Sequence, residues 1–88
     1  MVSKKVVITN EEGLHLRPAG VLCKEALKFI SSVHFTFGNK NCNAKSVLNV
    51  LSAGVKKGDE IEMICEGADE AHALDYLVTL IQDKFDIE

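Results

Sequence analysis

The chain contains one proline, Pro18, and places His15 and Arg17 ahead of it in the run GLHLRPAG, residues 13 to 20. A proline is tolerated in the first turn of a helix, so this run is typical of a helix start. A helix start has backbone N–H groups without partners and positive partial charge, and both favour an anion. Uncharged imidazole is a nucleophile, and the donors of an arginine match phosphate oxygens. We therefore predict phosphoryl chemistry at His15.

The neighbours of His15 have expected parts in holding a phosphoryl group. The backbone N–H groups of Leu16 and Arg17 would donate to its oxygens, and the Arg17 guanidinium would add a permanent charge. Gly13 allows a sharp approach to the helix, and Pro18 biases Arg17 away from helical angles, which sets the helix start at about Pro18. The alternative is that His15 is a capping or surface histidine and Arg17 a solvated charge.

Apolar residues that alternate with a period of two predict four strands. They cover residues 2 to 9, 32 to 37, 40 to 44 and 61 to 66. Val6 and Ile8 share one face of the first strand. The polar 40 to 44 segment is expected at a sheet edge.

Helical spacing predicts three helices. The first carries an apolar stripe from Ala19 to Ile30. The second is short, with Ser46 as its N-cap and Gly54 as its left-handed terminating residue. The third has Asp69 as its N-cap and a core-facing stripe made of Leu74, Leu77, Val78 and Ile81.

The resulting order is βαββαβα over a single domain, residues 1 to 88. We predict an α+β, open-faced two-layer sandwich, in which the three helices cover one face of a four-stranded antiparallel sheet. The right-handed preference of crossovers favours the strand order 1-4-2-3.

Composition narrows the function classes. The net charge of -3 argues against nucleic acid as a partner, and no apolar run is long enough for a signal peptide or a membrane span. We expect a cytoplasmic protein. Cys23, Cys42 and Cys65 lack the spacing of a disulfide framework or a zinc site, so we expect reduced thiols, two of them packed as small apolar side chains. His34 and His72 are expected in surface or packing roles.

The motif Gly13-Leu14-His15-x-Arg17-Pro18-Ala19 resembles the active-site signature of the HPr family, the histidine-containing phosphocarriers of the bacterial sugar phosphotransferase system. The resemblance extends along the chain through Ala44-Lys45-Ser46, Gly54, Lys57-Gly58, Glu60-Ile61 and Gly67-Ala68-Asp69-Glu70. It implies that His15 accepts a phosphoryl group on Nδ1 from enzyme I and passes it to the IIA domains of sugar permeases, with support from Arg17. It also implies a monomeric carrier that is not an enzyme and needs no cofactor or metal.

The resemblance further implies regulation at Ser46. In one branch of the family, an HPr kinase/phosphorylase phosphorylates this serine and the product binds the regulator CcpA. The segment NAKSVLNVLSAG is similar to that branch. Ser46 is also a good N-cap, and the two roles are compatible.

A docking surface is expected around the short helix. Val47, Leu48 and Leu51 lie close after Ser46, and a helix this short need not bury them all. The alternative is that all three pack inward. Lys24 and Lys28, together with Lys45, would steer acidic partners.

Three residues depart from the family pattern. Leu16 is bulkier than the usual neighbour of the histidine, Gly20 weakens the helix, and Asn49 stands where glycine is common. Two other functions remain open. One is a small-molecule sensor or interaction module of similar layout, for which His15 would be dispensable. The other is a regulatory HPr paralogue that acts through Ser46 and protein binding. An autonomous enzyme has the least support.

Overall fold

A computed structural model of the chain describes residues 1–86. Four strands and three helices follow one another as β1 (Val2–Val7), α1 (Leu16–Ala26), β2 (Ser32–Phe37), β3 (Lys40–Asn43), α2 (Val47–Ser52), β4 (Glu60–Glu66) and α3 (Glu70–Gln82). The predicted element order is confirmed. Most predicted boundaries agree within two residues, and the differences fall at element ends, where backbone hydrogen bonding frays.

The sheet has the strand order β1-β4-β2-β3, and each neighbouring pair is antiparallel. The last strand therefore lies between the first and the second, as predicted. Val6 pairs with Ile61 on one side of β4, and Phe35 pairs with Met63 on the other. All four of these side chains are buried, so one face of the sheet forms the floor of the core.

The helices close the core from above that face. Leu22 of α1, Val50 of α2, and Leu77 and Ile81 of α3 are fully buried. The predicted stripe of α3 is confirmed for its last three residues, whereas Leu74 is only half-buried. Within residues 1–86, no helix combines the length and the apolar composition needed to cross a bilayer.

The first helix differs from its prediction at both ends. It begins at Leu16, so Arg17 has helical geometry despite the proline that follows it. The preference of a residue before proline is a bias, and the contacts that hold the preceding loop outweigh it. Helical geometry ends at Ala26, and Ile30 is 78 % exposed. The apolar stripe therefore does not extend to Ile30, and Phe29 packs into the core in its place.

Asp69 is the N-cap residue of α3, but its side chain makes no capping hydrogen bond. Its carboxylate instead accepts hydrogen bonds from the backbone N–H groups of Ile30 and Ser31 and from the Ser31 hydroxyl. The hydrogen bond from the Ser31 hydroxyl has the largest effect on the pKa of Asp69 and lowers it. Burial raises this pKa and the backbone donors lower it, so the pKa lies below its ordinary value. This residue thus ties the start of α3 to the entry of β2.

Two cysteines were expected to pack as small apolar side chains, but the structure buries all three. Cys23, Cys42 and Cys65 are all buried and all have free thiols. The Cys23 Sγ also donates a hydrogen bond to the Lys45 carbonyl oxygen over 3.1 Å. Cys23 can be buried because α2 and the loop before it pack beside α1.

Candidate functional site

His15 is the N-cap residue of α1, with φ -81° and ψ -167°. Its carbonyl oxygen accepts the first helical hydrogen bond, from the Ala19 N–H at 2.8 Å. Its imidazole makes no capping hydrogen bond, so the capping half of the alternative is wrong, whereas the exposure of the ring agrees with the surface half. The ring therefore stands at the surface, where another protein can reach it.

Backbone donors surround this position. Among the contacts of residues 1–86, the N–H groups of Leu16 and Arg17 have no backbone acceptor. These two amides begin α1, and the N–H that would follow them is missing because Pro18 occupies the third helical position. The start of α1 therefore offers two free donors and the positive end of an 11-residue helix beside the imidazole.

The loop before His15 is held by the loop between α2 and β4. The Leu14 N–H donates to the Val55 carbonyl oxygen at 3.0 Å, and the Leu14 side chain is buried. Gly13 has φ +63°, and a Cβ there would lie 2.6 Å from the same Val55 oxygen. Gly13 is thus required both for its backbone angle and for the close approach of the two loops.

A cleft of about 420 Å³ opens next to the imidazole. Glu12, Leu14 and His15 line one side of it. The other side comes from α2 and the loop after it, and its lining residues are Leu51, Gly54, Val55 and Lys56. The cleft therefore joins the predicted site to the helix that carries the predicted docking residues.

Arg17 is exposed, and its guanidinium lies near a carboxylate. Its Nη2 atom is 3.6 Å from Oε1 of Glu12, and both side chains are about half exposed. Sequence reasoning assigned Arg17 to an anion and overlooked Glu12, which already supplies one. The adjacent Glu11 instead pairs with Lys57 at 2.8 Å, and this hydrogen bond lowers the pKa of Glu11.

With this geometry in view, comparison with known proteins decides the family. The family described as the PTS HPr component phosphorylation site matches residues 2–83. The chain belongs to the HPr family of the phosphotransferase system.

Three relatives show how far the likeness reaches. The phosphocarrier protein HPr of Treponema pallidum is 36 % identical over the full length of both chains. A crystal structure of HPr from Thermoanaerobacter tengcongensis is 40 % identical, covers 100 % of this chain and 99 % of its own, and superposes with a TM-score of 0.95. A structure of the Bacillus subtilis protein Crh, described as a dimer with a swapped domain, is 37 % identical, covers 96 % and 97 %, and has a TM-score of 0.77.

In this chain, Ser46 is the N-cap of α2 and is half-buried. Its Oγ accepts a hydrogen bond from the Asn49 N–H at 3.3 Å, so the predicted capping role is confirmed. Asn49 has a part of its own, because its Oδ1 accepts a hydrogen bond from the Asn43 N–H at 3.1 Å. Asn49, which stands where glycine is common in the family, therefore links α2 to the end of β3.

The predicted docking residues divide by exposure. Leu48 is 79 % exposed, whereas Val47 and Leu51 are half-buried. Val50, which directly precedes Leu51, is fully buried. The short helix therefore does not pack all its apolar side chains inward. Leu16, which was not among the predicted docking residues, is also exposed, at 67 %, at the start of α1.

The predicted steering lysines are not equivalent. Lys24 is exposed and has no ion pair or hydrogen bond from its side chain within residues 1–86. Lys28 donates to the buried Glu25 carboxylate at 2.9 Å, and Lys45 donates to the Phe29 carbonyl oxygen at 2.8 Å. Substitution of Lys28 or Lys45 would therefore disturb internal contacts, and Lys24 is the clean probe of steering.

Glu25 of α1 is a buried charged residue. It is only 1 % exposed, and its Oε1 accepts hydrogen bonds from the Tyr76 hydroxyl at 2.6 Å and from Lys28. The Tyr76 hydrogen bond, reinforced by Lys28, lowers the pKa of Glu25. A signal was available, because Leu22, Glu25 and Phe29 fall at i, i+3 and i+7 on the face that turned out to be buried.

Proposed function

We propose that this protein is a phosphoryl carrier that accepts a phosphoryl group from phosphorylated enzyme I on His15 and passes it to the IIA domains of sugar permeases in the cytoplasm. The observation that carries the proposal is that the His15 imidazole is exposed, makes no capping hydrogen bond and lies beside the free N–H groups of Leu16 and Arg17. Family membership supports it, because the matching family is described by its phosphorylation site.

The transfer step needs no further reactant. The Nδ1 lone pair of His15 forms a bond to phosphorus while the bond from phosphorus to the donor atom of enzyme I breaks, and that electron pair stays on the donor atom. A proton released from the other ring nitrogen of His15 balances the proton that the donor group takes up. The chain supplies positioning and charge: two amides and the Arg17 guanidinium meet the phosphoryl oxygens.

The test is phosphorylation of the purified chain with phosphoenolpyruvate and enzyme I. We expect one acid-labile phosphate on the parent, none on His15→Ala, and full loading of His34→Ala as the matched control. Label retained by His15→Ala would refute the assignment. Transfer from the loaded protein to a IIA domain tests the second half of the relay.

A second candidate function is that of a regulatory paralogue that acts through Ser46. Similarity to the HPr-like protein Crh favours it, at 37 % identity over 84 residues. The presence of His15 favours the carrier, since the known paralogue of that kind lacks the histidine. The two roles also combine in one chain, and we propose Ser46 as a substrate of HPr kinase/phosphorylase whose product binds CcpA.

Incubation with ATP and that kinase tests Ser46 directly. We expect one acid-stable phosphate on the parent and none on Ser46→Ala, with Ser52→Ala as the control because Ser52 also lies in α2. Binding to CcpA should then appear only after phosphorylation. A parent left unmodified by a kinase that modifies another HPr would remove this role.

The docking surface is proposed to consist of Leu48 and Leu16, with Val47 and Leu51 beside them and Lys24 as the steering cation. Lys24→Glu should slow association with enzyme I at low salt and much less at high salt, because steering is screened. Lys5→Glu, on the sheet face away from the helices, is the matched control. Equal association rates for the two variants would contradict the assignment. We propose a monomer, which light scattering of the purified protein tests.

A further inference from the structure

Among the described residues, Glu12 is the acidic one that lines the cleft beside His15. Its Oε1 lies 3.6 Å from Nη2 of Arg17. Glu11, one residue earlier, is directed elsewhere: its side chain is 85 % exposed and pairs with Lys57. Of these two neighbouring carboxylates, Glu12 is therefore the one placed to act on Arg17.

We infer that Glu12 is a positioning residue that holds Arg17 in the unphosphorylated protein and competes with a phosphoryl group on His15 for that guanidinium. The inference rests on the proposed carrier function. An arginine has one planar set of donors, and an oxyanion with about two charges attracts it more strongly than a carboxylate does. Loading of His15 should therefore break the pair between Arg17 and Glu12.

Breaking this pair makes loading less favourable. The unphosphorylated protein keeps a satisfied ion pair, whereas the phosphorylated protein must leave the Glu12 carboxylate without Arg17 and close to new negative charge. The bonds made and broken at phosphorus are unchanged; only the relative free energies of the two states shift. Glu12 thus raises the tendency of the phosphorylated protein to give up its phosphoryl group.

The experiment measures the equilibrium between the unphosphorylated and the phosphorylated protein in the presence of enzyme I, phosphoenolpyruvate and pyruvate. The ratio of phosphoenolpyruvate to pyruvate sets the phosphorylation of enzyme I, and phosphorus NMR gives the fraction of protein phosphorylated on His15. Exposed ion pairs of this kind are weak, so we expect Glu12→Gln to raise the loading equilibrium constant about 1.5- to fivefold. Glu11→Gln, which removes the same charge one residue away, should stay below that range. Glu12→Asp, which keeps the charge, should lie closer to the parent than Glu12→Gln does.

Two further measurements separate a role through Arg17 from a direct one. In an Arg17→Gln background, Glu12→Gln should change the equilibrium less than it does in the parent, because only the direct repulsion between Glu12 and the phosphoryl group remains, and an undiminished effect would overturn the inference. In the free protein at pH 7, Glu12→Gln should shift the NMR signal of the Arg17 side chain, because it removes the paired carboxylate, whereas Glu11→Gln should leave that signal unchanged.

The possible failures are distinguishable. A parent that never becomes loaded refutes the carrier function, and the inference with it. A parent that loads normally, with identical equilibria for Glu12→Gln and Glu11→Gln, refutes the inference alone. Because both glutamates are exposed, we expect all these variants to unfold at the temperature of the parent, which a thermal melt checks.

Discussion

Glu25 allows a sharp test of the polar contact between α1 and α3. Glu25→Gln keeps the shape of the side chain and removes its charge. Hydrogen bonds to a charged group contribute about 1 kcal/mol more than those between neutral groups, and Glu25 accepts two, from Tyr76 and Lys28. The neutral amide is easier to bury, which offsets part of this loss. We expect Glu25→Gln to lower the free energy of unfolding by about 1 to 2 kcal/mol at pH 7 and the thermal midpoint by on the order of 5 to 10 °C.

The loss should depend on pH with a definite sign. Hydrogen bonds from Tyr76 and Lys28 lower the pKa of Glu25 in the folded state, so the unfolded chain binds a proton there at higher pH than the folded chain does. The stability that Glu25 contributes is therefore complete above its ordinary pKa and is lost as the pH falls through the lowered one. The difference between parent and Glu25→Gln should shrink accordingly in acid.

Urea denaturation of both proteins from pH 7 to pH 2 measures this difference. Glu66→Gln, in which an exposed strand carboxylate is neutralised, is the matched control and should leave stability unchanged at pH 7. Equal stability of the parent and Glu25→Gln at pH 7 would refute the reasoning. A difference that stays constant down to pH 2 would also refute it, because it would show that the charge of Glu25 is not its cause.

Three other substitutions should change stability through the backbone, each measurable by urea denaturation. Gly13→Ala should lower the free energy of unfolding by well over about 2 kcal/mol, because its Cβ would meet the Val55 carbonyl oxygen. Gly38 has a similar φ with open space around it, so Gly38→Ala should lower this free energy by only about 1 kcal/mol. Equal losses would contradict the close approach of Gly13 to Val55. Gly20→Ala should stabilise the protein by about 1 kcal/mol, because nothing lies within 4 Å of the new Cβ, and a loss would disprove this. Asn49→Gly should cost about 1.5 kcal/mol or more, since it removes a hydrogen-bond acceptor and adds a helical glycine, and no change would show that this bond is not needed.

Local patterns in the sequence determined most of the architecture. Alternation and helical spacing act over a few residues, so they located the strands, the helices and the core face of each. The sheet order followed from the handedness of crossovers. The run from Gly13 to Pro18 placed an imidazole at a helix start, and Ser46 at the start of α2 was predicted as a cap in the same way.

The tertiary structure decided what distant parts of the chain do to one another. The helix α1 starts at Leu16, just after Leu14 bonds to Val55, which lies 41 positions later, and the bias of Pro18 could not reveal that bond. The burial of Glu25 depends on Tyr76, which is 51 positions away. Periodicity indicates which face of a helix or strand is buried, but it does not indicate which residue of a distant segment lies against that face. The cleft beside His15 likewise exists only because two loops meet, and Glu12, which pairs with Arg17, is one of its lining residues.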